Sequence, residues 1–276
     1  MEEFNMKNKK LIVIDLDGTA LHDHIDLNTQ TKAALLVAKE MGHEIVIATG
    51  RPARGSLRFY QELGLTTPSI NFNGAYIHHP ADEKFPERIA QIPMETILAI
   101  FKSEITEDLI NAVCEYKDDL YVMNRDSLLQ DWFFCEGCDS MRYGTFEEIL
   151  ADHPSGVILQ VKPESVQKVM DFLRLNYGEV ITCRQWSDDL NNIIEVFKSD
   201  SNKGAALAKV AEYLSFDSDD IIVFGDGDND MEMFEFAGTS VAMENGLDEL
   251  KAVASTITKS NVEGGIAHYL YEHLLK

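Results

Sequence analysis

Two aspartates close an apolar run, Leu11-Ile-Val-Ile-Asp15-Leu-Asp17, and glycine and threonine follow at once. Carboxylates are costly to bury unless a cation, a shared proton or a chemical task compensates their charge. Strand side chains alternate faces, so Asp15 and Asp17 leave the run pointing the same way, and Gly18 lets the chain turn sharply after them. Three more segments carry matching chemistry. In Ala48-Thr49-Gly50-Arg51 a hydroxyl and freed backbone N–H groups suit a phosphate oxygen. Ser201-Asn202-Lys203-Gly204 opens a helix and offers an ammonium as an anion clamp. Gly225-Asp226-Gly-Asp228-Asn229-Asp230 brings up to three further carboxylates. Five acidic groups together would repel one another unless a divalent cation neutralised some of them. Oxygen-only ligands favour a hard ion, Mg²⁺ before Ca²⁺ or Mn²⁺.

Each segment alone has a duller explanation. Asp-x-Asp-Gly serves as a turn, Thr-Gly-Arg as a helix end, and Lys203 as a solvated lysine at a helix start. Asp226-x-Asp228-x-Asp230 opens like a calcium loop, but Met231 stands where the sharp-turn glycine belongs and Ala237 replaces the closing glutamate, which excludes that site. Asp228 reads as a turn aspartate and His22 and His24 as polar loop residues; Arg51 suits an approach to the active site at the domain junction, but slightly better a surface position at a helix start. What gives the four segments weight is their common placement, each just after an expected strand or at the start of a helix. In open parallel sheets, ligands bind beyond the carboxyl ends of the strands.

The elements that must supply this edge follow from apolar periodicity. Strands are expected at 10–16, 43–49 and 68–72, with helices at 29–41 and 53–63 between them, an alternation that implies a parallel sheet with right-handed crossovers. From about 81 to 192 the pattern changes. Short amphipathic strands at 121–125 and 155–162 accompany helices at 94–104 and 164–177, which suggests an inserted α+β unit. The first pattern then returns, with helices at 202–214, 231–236 and 265–275 and strands at 220–224, 239–243 and 255–258. The expected fold is α/β, with a Rossmann-like parallel-sheet core over 1–80 and 193–276 and an inserted α/β cap over 81–192.

The 276 residues suit one large domain or two of ordinary size. A formal charge of −23 argues against nucleic acid and anionic membranes as partners. No stretch approaches the roughly 20 apolar residues of a membrane span, and the polar start lacks a signal region, so a cytoplasmic protein is expected. Cys114, Cys135, Cys138 and Cys183 read as ordinary thiols, because Cys135-x-x-Cys138 has no second pair at zinc-finger spacing. Asp118-Asp119 and Asp188-Asp189 read as solvated acidic patches.

In order, DLDGT, ATGR, NKG and GDGDND resemble the four motifs of the haloacid dehalogenase superfamily of phosphotransferases. NFNGAYI (71–77) and the insert after it resemble the Cof-like subfamily, whose members carry a large α/β (C2B-type) cap. The resemblance implies a phosphatase. Asp15 would be the nucleophile that forms an aspartyl-phosphate, and Asp17 the general acid and then base. Thr49, Gly50 through its N–H, Lys203 and Asn229 would hold the phosphoryl group. Mg²⁺ would be held by Asp15, the backbone carbonyl of Asp17 and Asp226, with Asp230 in the metal set. The implied substrates are small phosphorylated metabolites such as sugar phosphates, chosen by the cap, with no obligate protein partner. A phosphomutase would use the same motifs, and a non-catalytic phospho-acceptor or metal-binding module shares the aspartate, hydroxyl and lysine but lacks the large insert and the GDxxND cluster.

Overall fold

The computed structural model describes residues 9–23, 25–125, 137–186 and 192–276; His24, Cys135, Asp188 and Asp189 lie outside them. Chain contacts divide the protein into two compact units. One comprises Met1–Arg51, Ser56–Glu87 and Asn202–Lys276, the other Pro52–Gly55 and Arg88–Ser201.

The first unit is built on the apolar run. Leu11, Ile12, Val13 and Ile14 form β1 (Leu11–Ile14) and are each 0% exposed. The strand pairs in parallel with β2 (Glu44–Ile47) on one side and β12 (Ile221–Gly225) on the other. Beyond β12 come β13 (Thr239–Ala242) and β14 (Thr256–Ile257), so the sheet order is β14-β13-β12-β1-β2 and every pairing is parallel. Both faces are covered, which is why β1 is apolar throughout instead of alternating. Ile12 and Ile14 join the cluster containing Leu35 of α1 (Thr29–Glu40) and Leu270 of α9 (Gly265–His273). Leu11 and Val13 join the opposite one, with Leu207 of α6 (Lys203–Leu214) and Met233 of α7 (Met231–Phe236). Each such buried aliphatic chain contributes about 1.5–3 kcal/mol, enough for this platform to carry unfavourable charge at its end.

The third expected strand departs from the pattern. After α2 (Ala53–Glu62), β3 (Ser69–Asn71) meets the parallel sheet through a single bridge, Ala48 to Ile70, and otherwise pairs antiparallel with β4 (Tyr76–His78). The tight Phe72–Gly74 turn reverses the chain directly after Asn71 and so makes that hairpin.

The second unit carries β5 (Arg88–Ile89), α3 (Met94–Phe101), α4 (Phe146–Ile149), α5 (Val166–Tyr177) and a six-stranded sheet. Its strands are β6 (Leu109–Tyr116), β7 (Asp119–Val122), β8 (Ser140–Tyr143), β9 (Gly156–Val161), β10 (Ile181–Gln185) and β11 (Ile193–Lys198), in the order β10-β11-β9-β6-β7-β8. The pairing is antiparallel except between β7 and β8. One face packs Ala112, Leu159 and Val196 against Ile97, Val169 and Leu173 of the helices. The return to the first unit falls at Asn202, later than residue 193, because β11 pairs with both β9 and β10. Asp118 and Asp119 are more engaged than solvated residues would be: Asp118 accepts from Arg54 at 3.4 Å, and Asp119 accepts from Ser140. Arg54 also donates to the buried Glu115. Cys114, Cys138 and Cys183 are free thiols. Among the described residues no helix is long and apolar enough to cross a membrane.

Candidate active site

The four sequence segments converge at the carboxyl ends of β1, β2 and β12 and at the start of α6, and all their residues but Ser201 belong to the first unit. Asp15 follows β1 directly, its N–H donating to the Phe224 carbonyl at 3.1 Å, so the sheet ladder extends to the carboxylate itself. Its Oδ1 accepts from Lys203 Nζ at 2.6 Å, and the same ammonium donates to Asp230 Oδ1 at 2.6 Å. Lys203 is 0% exposed, not a solvated helix-start residue. It is the first residue of α6, where the helix dipole disfavours a cation, so the two carboxylates must hold it there. Asn202 caps the helix by accepting from the Ala205 N–H at 2.7 Å, which fixes where the lysine leaves the backbone.

Asp230 ties this pair to the fourth segment. Its Oδ2 accepts from the N–H groups of Asp226 and Gly227 at 2.9 and 3.0 Å, so both of its oxygens are engaged. Thr19 donates its hydroxyl proton to Asp226 Oδ1 at 2.6 Å. Gly18 has φ +76°, and a Cβ there would lie 2.2 Å from Asp226 Oδ2, so only glycine lets the first segment approach so closely. Asn245 holds the same turn by donating to the Gly18 carbonyl at 2.8 Å.

Asp15, Asp226 and Asp230 each offer an oxygen within 4.8 Å of the others. Burial pushes the Asp15 carboxyl well above its ordinary value; Lys203 opposes this, while Asp230, Asp226 and Asp17 add to it. Asp226 is raised to about 7, by burial first and by Asp230 next. Three clustered carboxylates therefore face one ammonium, an excess of negative charge that fits a divalent cation with oxygen ligands. Asp15 and Asp226 are the natural donors, since Asp230 already braces Lys203 and the Asp226–Gly227 backbone. Asp228 is exposed, as its reading as a turn residue implies.

Thr49 is fully buried, and its hydroxyl oxygen accepts the Arg51 N–H at 3.1 Å, leaving its proton to donate. Arg51 is not a surface residue. It is buried, and its Nε and Nη2 bind the two carboxylate oxygens of Asp17 at 2.7 and 2.5 Å. Asn229 donates to Asn73 Oδ1 at 2.9 Å. His22 is exposed beside Asp23, away from the acidic cluster. Asn73 and Asn245 are site residues that the four motifs did not contain, and Arg51 is one that the second motif contained but that reads more simply as a surface residue. The signals available were an arginine one residue past a phosphate-type loop and the Asn-Gly of NFNGAYI, both as readily explained by turn chemistry.

The family model for haloacid dehalogenase-like hydrolases matches residues 12–270. The chain belongs to this family. It is of the Cof-like type, a hydrolase of phosphate monoesters. It is 36% identical over 263 residues to a 5-amino-6-(5-phospho-D-ribitylamino)uracil phosphatase of Bacillus subtilis, covering 95% of this chain and 97% of that one. It is also 28% identical to a pyridoxal phosphate phosphatase of Escherichia coli, across 96% and 99% of the two chains. Among solved structures, a haloacid dehalogenase-like hydrolase from Bacteroides thetaiotaomicron shares the fold with a TM-score of 0.82 at 22% identity, covering 96% of this chain and 99% of that one.

Proposed function

We propose that the protein is a Mg²⁺-dependent phosphatase of small phosphorylated metabolites that works through an aspartyl-phosphate on Asp15. The observation that carries this reading is the buried Asp15–Lys203–Asp230 triad at the end of β1, with Asp226 beside it. An Asp15 oxygen attacks phosphorus as the bond from phosphorus to the leaving alcohol breaks, and Asp17 gives that alcohol its proton. Asp17 then takes a proton from water, the resulting oxygen attacks phosphorus, and inorganic phosphate leaves as the Asp15 carboxylate is restored. Thr49, Gly50, Lys203 and Asn229 hold the phosphoryl oxygens. Asp15, Asp226 and the Asp17 carbonyl would hold Mg²⁺, which when bound offsets the repulsion between an anionic phosphate and this acidic site.

The substrate class rests on the relatives. Their names describe phosphatases of a ribityl phosphate and of pyridoxal phosphate, and one structural relative is described as a sugar phosphatase. All carry phosphate on a small polar alcohol. We infer a cytoplasmic substrate of that kind, a sugar or sugar-alcohol phosphate foremost, with the inserted unit selecting the alcohol. The test is phosphate release from a panel containing these three classes, with and without Mg²⁺, by the native protein and Asp15→Asn. Release should require Mg²⁺ and fall by on the order of 10³-fold or more in Asp15→Asn. Unchanged turnover in that variant would remove the nucleophile, and isomer formation without free phosphate would point to a mutase.

A further inference from the structure

One buried turn outside the four motifs touches three of them. Phe72 and Asn73 both have left-handed backbones, φ 50° and 51°, which is costly for a residue as bulky as Phe72 and tolerated by asparagine. The turn is knitted to the second motif: the Phe72 N–H donates to the Arg51 carbonyl and the Asn73 N–H to the Thr49 carbonyl, both at 3.1 Å. The Asn73 side chain is 2% exposed and lies against Gly50, where an added Cβ would come 3.2 Å from its Oδ1. That oxygen accepts from Asn229 of the fourth motif. Gly74, at φ +97°, passes so close to the Asn202 carbonyl that a Cβ would lie 2.2 Å from it, and Asn202 caps the helix that begins with Lys203.

We propose that Asn73 is a positioning residue that sets the spacing of the phosphate-binding groups, through its carboxamide on Asn229 and its backbone on Thr49. Strain of this kind persists where surrounding structure over-determines it, and here that structure is the site itself. Asn73 needs no contact with substrate. It keeps the Asn229 amide and the Thr49–Gly50 loop in fixed register, so that both meet one phosphate without reorganisation.

The inference rests on Thr49, Gly50 and Asn229 as phosphate-binding groups, and a double-mutant cycle separates the two ideas. Asn73→Gly keeps the left-handed backbone and removes the carboxamide. Its unfolding should stay cooperative, while its affinity for inorganic phosphate, measured calorimetrically with Mg²⁺ present, and its kcat/KM fall on the order of tenfold. Adding Asn229→Ala should cost little more in that background, but its full loss in Asn73→Asp, which keeps an acceptor oxygen. Equal cost of Asn229→Ala in both backgrounds, or native phosphate affinity in Asn73→Gly, overturns the positioning role. Native phosphate affinity in Asn229→Ala alone would instead overturn its assignment to phosphate. Asn73→Ser, whose side chain is too short to reach Asn229, takes the glycine variant's place in the cycle should that variant fail to fold.

Discussion

With Mg²⁺ held as proposed above, Asp226 should make the protein's stability and its metal affinity depend on pH in opposite directions. Its carboxyl rises from an ordinary 3.8 to about 7, chiefly because burial disfavours the charge and Asp230 repels it. A carboxyl with a raised folded-state pKa holds its proton more tightly folded than unfolded. Its contribution to metal-free stability is therefore full below about pH 4 and is lost as pH climbs through about 7. At ~1.36 kcal/mol per pH unit the span corresponds to about 4 kcal/mol, an upper bound because Asp226 keeps some contact with water. Binding a divalent cation requires the ionised form, so the metal must displace that proton below pH 7.

The assay is thermal unfolding in a chelator from pH 4.5 to 8, alongside calorimetric Mg²⁺ titration over the same range, for the native protein and Asp226→Asn. The overall charge of −23 also destabilises the fold as pH rises, and the variant shares that background. The native protein should lose stability relative to Asp226→Asn as pH rises, by no more than about 4 kcal/mol. Its Mg²⁺ affinity relative to Asp226→Asn should strengthen by up to about tenfold per pH unit and level off above about pH 7. A flat Mg²⁺ affinity between pH 5.5 and 7.5, or a native protein that gains on the variant with rising pH, would refute the argument.

Three further outcomes follow from the same geometry. Lys203→Met leaves Asp15 and Asp230 buried without their shared cation, so activity should vanish and chemical denaturation should show a loss of about 3–5 kcal/mol, partly restored by Mg²⁺. Gly18→Ala forces a Cβ onto Asp226 Oδ2 in a left-handed backbone, so calorimetry should show Mg²⁺ binding weakened by at least about tenfold with the fold retained; unchanged affinity would mean the loop can shift away freely. Arg51→Gln frees Asp17 from its two-point clamp, and rapid-quench kinetics should show phosphoenzyme breakdown slowed more than its formation; equal slowing would leave Arg51 a structural residue only.

The platform was legible because burial on two faces demands continuous apolar strands, and LIVI, EIVI and IIVF have no other reading of comparable simplicity. The acidic edge was legible for a related reason. Charges placed directly after such strands have no stabilising role of their own, and Asp15 and Asp226 stood out against their surroundings. The return point of the chain was less clear, because Ile193-Ile-Glu-Val-Phe-Lys198 is an apolar run that suits a buried strand of either unit. Only its ladder with β9 and β10 decides the matter.

Arg51 and Asn73 show why the supporting groups were hidden. Arg51 has the same local sequence whether its guanidinium reaches water or Asp17, a residue 34 positions earlier. Asn73 precedes glycine, as in countless surface turns, and its partner Asn229 lies 156 positions away. A motif records groups that must be a particular chemical type wherever they act. A brace need only reach across the right gap, and several residue types can do so once the backbone provides it. The gap here exists because the chain doubles back at Phe72–Gly74 directly after β3, bringing the turn against Thr49, Asn202 and Asn229. The reversal directly after the third strand, which reads locally as an ordinary Asn-Gly turn, is thus what backs the Thr49–Gly50 loop.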